Sequence, residues 1–175
     1  MKQFTKTVSI AKTWRGELVK PEETVNLTLE CGMEFLRFEI DAPFYDHQPP
    51  PADPGFFDGL WNYDVVEVFL VGSFGGYIEV EFGPHGHYLG YVLDGPRSVV
   101  GRFNLEHYET DIRNDRWLGH GTLNLKHLPE KIVQWNAFAI FGESPQRTYM
   151  CMGRLPGETP NFHQPAHFPV WDGPS

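Results

Sequence analysis

WNYDVVEVFLVGSFGGYIEVEFG, residues 61–83, alternates apolar and other side chains on either side of a glycine-rich turn. Successive strand residues point to opposite faces. Val66, Val68 and Leu70 therefore share one side of a first strand, and Ile78, Val80 and Phe82 one side of a second. The other side carries Glu67 on the first strand and Tyr77, Glu79 and Glu81 on the second. Gly72-Ser73-Phe74-Gly75-Gly76 joins two strands and opens no helix, so it reads as a hairpin turn and not as a phosphate cradle. Two amphipathic strands in tandem set the fold class as all-β.

The flanks agree. Val25, Leu27 and Leu29 alternate with polar residues, and after Cys31-Gly32 so do Leu36, Phe38 and Ile40, which reads as a second hairpin. Extended segments are expected over 3–13, 87–93, 97–103, 117–125, 135–141 and 147–152 and a short helical turn over 127–133, while 104–116 is polar and its pattern is ambiguous. Glycine and proline supply 18 and 15 residues, which disfavours long helices. Nine or ten short strands with little helix predict an antiparallel, jelly-roll-like β-sandwich. Its 175 residues fit a single domain, 1–175. Pro43–Leu60, with five prolines, cannot run in a ladder. It is either functional or a surface excursion pinned by Phe44, Tyr45, Phe56 and Phe57.

Composition excludes several classes. The formal charge is −9, against the cationic excess that phosphate contacts require, so no nucleic-acid partner is expected. No apolar run approaches 18 residues and the first ten lack an apolar signal core, so neither membrane nor export is expected and the cytoplasm is the default. Cys31 and Cys151 form no CxxC and read as reduced, buried thiols. Oligomeric state leaves no mark on the pattern.

Chemistry concentrates on the glutamate face. Glu79 and Glu81 lie two residues apart on one strand, about 7 Å between Cβ atoms, and Glu67 is within cross-strand reach. Like charges so close need a cation, an arginine, a metal or open solvent. Arg147 with Tyr149, and Asn136 with Phe138, share faces of the two late strands. The candidate ligand-binding set is therefore Trp61, Glu67, Tyr77, Glu79, Glu81, Asn136, Arg147 and Tyr149. A solvated outer face with weak surface ion pairs stays open beside it. Trp61, just after the long loop, is the first candidate for stacking on a ring, whereas Trp135 alternates with Ala137 and Ala139 and reads as core. His85-Gly86-His87 resembles half of a cupin metal motif, but Tyr91 and Val92 stand where its glutamate belongs.

LWNYDVVEVFL, YIEVEFGPHG, WNAFAIFG and RTYM resemble domains similar to carbohydrate-binding module family 9, within the DOMON-like group. Thr13, Trp14 and Gly16, then Ala42–Phe44 and Asn161–His163, extend the resemblance to an uncharacterised family of small, mostly single-domain proteins of bacteria and animals. It covers roughly residues 8–168. Trp61, Asp64, Glu67, Tyr77, Glu79, Glu81, Pro84 and Gly86 match its central motif. The resemblance implies a β-sandwich of carbohydrate-binding ancestry, in which sugar-binding members clamp the ligand between aromatic rings and some members bind structural calcium. No DxDxD-like calcium loop is present here.

The expected function is a non-catalytic, carbohydrate-binding-like domain that takes a small polar or glycan ligand. The set would supply stacking from Trp61 and Tyr77, acceptors from the glutamates and donors from Arg147 and Asn136. No cofactor is required, with calcium or another divalent metal left open. The alternatives are an enzyme in which the carboxylates work on a sugar directly or hold a metal with His85, and an interaction module built on the 43–60 loop.

Overall fold

The computed structural model describes residues 3–173. Twelve strands form two sheets. The first sheet runs β1 (Phe4–Ile10), β2 (Val25–Cys31), β3 (Phe35–Pro43), β10 (Arg116–Asn124), β9 (His107–Arg113). The second runs β12 (Thr148–Cys151), β11 (Ile132–Phe141), β5 (Val65–Gly72), β6 (Tyr77–Phe82), β7 (His87–Gly95), β4 (Gly55–Phe56), with β8 (Ser98–Arg102) also on β7. Every pairing is antiparallel except β4 with β7. The chain passes from the first sheet to the second, returns for β9 and β10, and crosses back for β11 and β12.

The predicted inner faces meet. Val25, Leu27, Leu29, Phe38 and Ile40 of one sheet pack on Val66, Val68, Leu70, Ile78, Val80 and Phe82 of the other, all buried. Each such side chain contributes about 1.5–3 kcal/mol through the apolar area it removes from water. Trp135 lies among them, as its alternation with two alanines requires. Cys31 and Cys151 are free and buried.

Three stretches go beyond or against the sequence reading, for physical reasons. The 43–60 loop does join ladders at its ends: Pro43 closes β3, and beyond the last proline, Pro54, Gly55–Phe56 is free to pair in parallel with His87–Tyr88 as β4. The polar 104–116 stretch contains β9, an edge strand whose side chains are mostly exposed, so no inward apolar phase marks it. The helical turn sits earlier, as a 3-10 turn at Leu125–His127 capped by the Asn124 side chain accepting from the Lys126 N–H at 3.1 Å, and β11 begins at Ile132. The long loop is pinned as its aromatics suggest. Phe56 packs edge-on to Tyr88 and Tyr91, Phe57 to Tyr63 and His87, and Tyr45 to Phe141. No described helix is long and apolar enough to cross a membrane.

What positions the site is the second sheet's outer face. Here β5 and β6 are buried on both sides. Val65, Phe69, Val71, Tyr77, Leu89, Tyr91, Phe138 and Ile140 form a second apolar cluster beyond the sandwich core. The cluster is roofed by Leu155, Phe162 and Phe168 of the C-terminal segment and by the Leu60 turn. Phe162 stacks on Phe138 with centroids 4.1 Å apart and planes at 11°. At Gly153 the segment folds so closely against its own later part that a Cβ there would sit 2.4 Å from Pro169.

Candidate functional site

Strand register builds the site. Glu67 of β5 lies directly opposite Glu81 of β6, and Glu79 lies opposite Tyr91 of β7. One carboxylate oxygen from each of Glu67, Glu79 and Glu81 falls within 4.8 Å of the other two. All three side chains are buried, Glu81 completely. The glutamate face is thus a covered floor and not a solvated surface.

Above the floor lies a recess of about 510 Å³. Glu67, Glu79 and His163 supply its polar lining near the glutamates, and Trp61, Tyr91, Tyr149 and Phe162 supply aromatic walls. Arg97, Arg147 and Asn62 also line it. Trp61 is 40 % exposed, with its ring 6.4 Å from that of Tyr91. Glu81 lies beneath this lining.

Burial sets the protonation. Desolvation pushes the Glu67 and Glu81 carboxyls well above the ordinary range, reinforced by the neighbouring carboxylates and opposed at Glu67 by Arg147. Desolvation raises Glu79 to about 7, and its hydrogen bond with Glu81 pulls the other way. Neither Glu81 oxygen meets a donor from elsewhere in the protein. The bond with Glu79 therefore needs a proton held between the two carboxyls.

His163 joins Glu79 to Tyr77. The Arg97 N–H donates to the Tyr77 hydroxyl at 3.3 Å, and that hydroxyl lies 2.8 Å from His163 Nδ1. Tyr77 is pushed up to about 12 and His163 down to about 4, in both cases chiefly by burial. Near neutrality, then, a protonated phenol donates to a neutral imidazole, which leaves the imidazole proton on Nε2, 4.0 Å from Glu79 Oε1. That separation is too long for a hydrogen bond, and with His163 uncharged it is not an ion pair either.

The expected residues divide. Trp61, Glu67, Glu79, Arg147 and Tyr149 line the recess, and Tyr77 and Glu81 stand just behind it. Asn136 does not reach it. It is fully buried, donates to the Gly153 carbonyl at 2.9 Å and accepts from the Gly153 and Ala137 N–H groups, so it anchors the roofing segment to β11. Arg147 lines the recess, yet three of its N–H groups are committed to the carbonyls of Gly142, Trp61 and Tyr63 at 2.7–2.9 Å. It braces the turn that presents Trp61, and its charge faces Glu67. Asp64 does comparable work, accepting from the Gly142 N–H at 2.8 Å and from His47 at 2.9 Å.

Sequence reasoning missed Tyr91, Phe162 and His163 as lining residues. Tyr91 was legible in principle, since it shares the phase of Leu89 and Leu93. Nothing local to 161–163 signals that it folds over the glutamates. The His85 and His87 pair is placed elsewhere: the His87 Nε2–H donates to the Ala52 carbonyl at 2.9 Å, and His85 packs edge-on to Phe44. Neither histidine belongs to a convergent set of three ligand side chains among the described residues.

An antiparallel two-sheet sandwich with an aromatic-walled, acid-floored recess on one covered sheet face is the class that these features define. The fold is shared with the crystal structure of a candidate carbohydrate-binding protein from Bacteroides uniformis, at a TM-score of 0.69 and 10 % identity over 94 % of this chain and 84 % of that one. No family model matches the chain. Whole-sequence relatives do. UPF0462 protein C4orf33 of Homo sapiens is 34 % identical over 168 residues, 88 % of this chain and 81 % of its own. The Rattus norvegicus homolog is 33 % identical over 91 % of this chain and 84 % of its own, and the Danio rerio homolog 31 % identical. The chain belongs to the UPF0462 family.

Proposed function

We propose that the protein is a non-catalytic binding domain that takes a glycan or another small polyhydroxylated ligand in the recess above Glu67 and Glu79. The observation that carries this is the pairing of aromatic walls with a convergent polar floor in a recess of about 510 Å³. Aromatic faces stack on the C–H faces of a sugar ring, while a few fixed polar groups bond its hydroxyls, which is the usual division of labour in small-ligand pockets. Trp61 and Tyr91 supply the faces. Glu67 and Glu79 accept from hydroxyls when ionised and donate to them when protonated. The fold shared with a candidate carbohydrate-binding protein supports the same reading.

The enzyme reading is weaker on geometry. Glycosidase carboxyls flank the scissile bond, one on either side of the sugar. The glutamates here stand together on adjacent strands of one sheet, so a ligand meets Glu67 and Glu79 from the same side, with Glu81 beneath them. The interaction-module reading is weakened because Phe56 and Phe57 of the 43–60 loop pack on β7, leaving Tyr45 as its exposed aromatic.

The test is a glycan array followed by calorimetric titration of the best binder, with Trp61→Ala and Glu79→Gln beside the wild type. Loss of at least tenfold in affinity in both variants is expected. Absence of binding to any glycan or polyol at millimolar concentration, or binding that both variants retain in full, overturns the proposal.

A further inference from the structure

We propose that the carboxylates of Glu67, Glu79 and Glu81 together bind one hard divalent cation, of the Ca²⁺, Mg²⁺ or Mn²⁺ class, at the floor of the recess. Three observations carry this. The first is convergence: one oxygen from each carboxylate lies within 4.8 Å of the other two. An ion that binds oxygens at roughly 2.0–2.6 Å spans donors up to about twice that distance apart, so the set needs only small side-chain adjustment to close on it. The second is Glu81. It is fully buried, and neither of its oxygens meets any donor outside the carboxylate group itself. An ionised carboxylate buried so, with no donor among the described residues, is costly unless a proton or a cation completes it, and a cation would take the place of the proton shared with Glu79. The third is that, among the described residues, no side-chain cation does so. Arg147, whose charge acts on Glu67, directs three of its N–H groups to the Gly142, Trp61 and Tyr63 carbonyls.

The donor set names the metal class. All three ligands are carboxylate oxygens, which suit hard cations and are poor at discriminating for zinc or copper, ions that favour nitrogen and sulfur. The scaffold is stiff, since Glu67 and Glu81 are register partners on adjacent central strands and Glu79 is two residues along the same strand as Glu81. His163, its Nδ1 held by Tyr77, stands beside the set with Nε2 4.0 Å from Glu79 Oε1, beyond hydrogen-bond reach in this arrangement. Positions not filled by carboxylate face the recess and are open to water or to ligand oxygens.

This goes beyond the glycan reading and is tested without any glycan. The full chain, stripped with EDTA and desalted, is dialysed to equilibrium against 1 mM Ca²⁺, Mg²⁺ or Mn²⁺ in turn, and bound metal is measured by elemental analysis. Thermal unfolding is followed alongside. Close to one equivalent of at least one ion is expected, with a saturable rise in Tm. Glu81→Gln should weaken that binding at least tenfold, while Glu30→Gln, an exposed carboxylate elsewhere, leaves it unchanged. Wild-type protein that binds none of the three ions above the dialysis blank overturns the proposal, whether or not the variant folds. So does Glu81→Gln that binds as the wild type does. Glycan titration repeated in EDTA keeps the two proposals separable, because either can fail while the other stands.

Discussion

Glu81→Gln should change how stability depends on pH. A glutamate in the unfolded chain titrates near 4.5, and folded Glu79 titrates at about 7. Between those values the folded state holds a proton that the unfolded state has released. This contribution is full below pH 4.5 and is lost as pH rises through 7. For Glu79 the difference is about 3 kcal/mol, at roughly 1.36 kcal/mol per pH unit. Glu67 and Glu81, raised further by burial, act in the same direction. His163 opposes them. Its folded value of about 4 lies below the ordinary 6.5, so in acid the unfolded chain takes the proton first and stability falls as pH drops from 6.5 toward 4. Arg147 faces Glu67, Asp58 faces Glu81 and Arg97 faces His163. Above about pH 8 the thiols of Cys31 and Cys151, pushed up by burial, begin to contribute. The window from pH 6.5 to 8 therefore isolates the carboxyls. Urea unfolding followed by tryptophan fluorescence in EDTA should show wild-type stability falling across it. Replacing Glu81 by its neutral isostere removes one titrating group with a raised folded value, which should flatten the slope. Wild-type stability that is level or rising across the window, or an unchanged slope in Glu81→Gln, would refute the argument that burial keeps these carboxyls protonated.

Asn136→Ala leaves the Gly153 N–H and C=O without their buried side-chain partner, at about 1–3 kcal/mol each; chemical denaturation should register a loss of a few kcal/mol, while the folded fraction binds ligand with unchanged stoichiometry. Phe162→Ala removes the ring stacked on Phe138 and should cost about 3 kcal/mol; limited proteolysis should then cut first within 153–168. Arg147→Lys cannot reproduce a planar three-way grip on the Gly142, Trp61 and Tyr63 carbonyls; Trp61 should report this as altered fluorescence anisotropy, with ligand affinity falling more than stability does. Both cysteines should resist thiol reagents in the native state and react after unfolding, because each is buried.

The fold was legible because one face of each central strand is buried in a sandwich. Val66, Val68 and Leu70 against Ile78, Val80 and Phe82 leave no alternative register, since a slip of one residue would carry three glutamates into the core. Strand β9 was not legible, because an edge strand with two mostly wet faces has no phase to read. The site was half legible. Alternation grouped Glu67, Glu79 and Glu81, and its place between the long loop and the central hairpin marked Trp61. The role of Asn136 was misread for a physical reason: its face was identified, but not the segment at Gly153 that its side chain both donates to and accepts from.

The sequence by itself determined which side chains share a face, because period-two alternation is a property of the strand alone. It also determined that three carboxylates would stand near one another, since they fall on two strands of one hairpin. Only the tertiary structure decided what that closeness means. Whether a sheet face is wet or dry depends on what crosses it, and here the covering pieces are an irregular C-terminal segment and a proline-rich loop with no periodicity to betray their course. Phe162 on Phe138 and His163 beside Glu79 come from a stretch more than 80 residues away from the central hairpin's turn. That cover turns a solvated acidic patch into a desolvated one, and desolvation gives the glutamates their raised pKa values and the recess its floor.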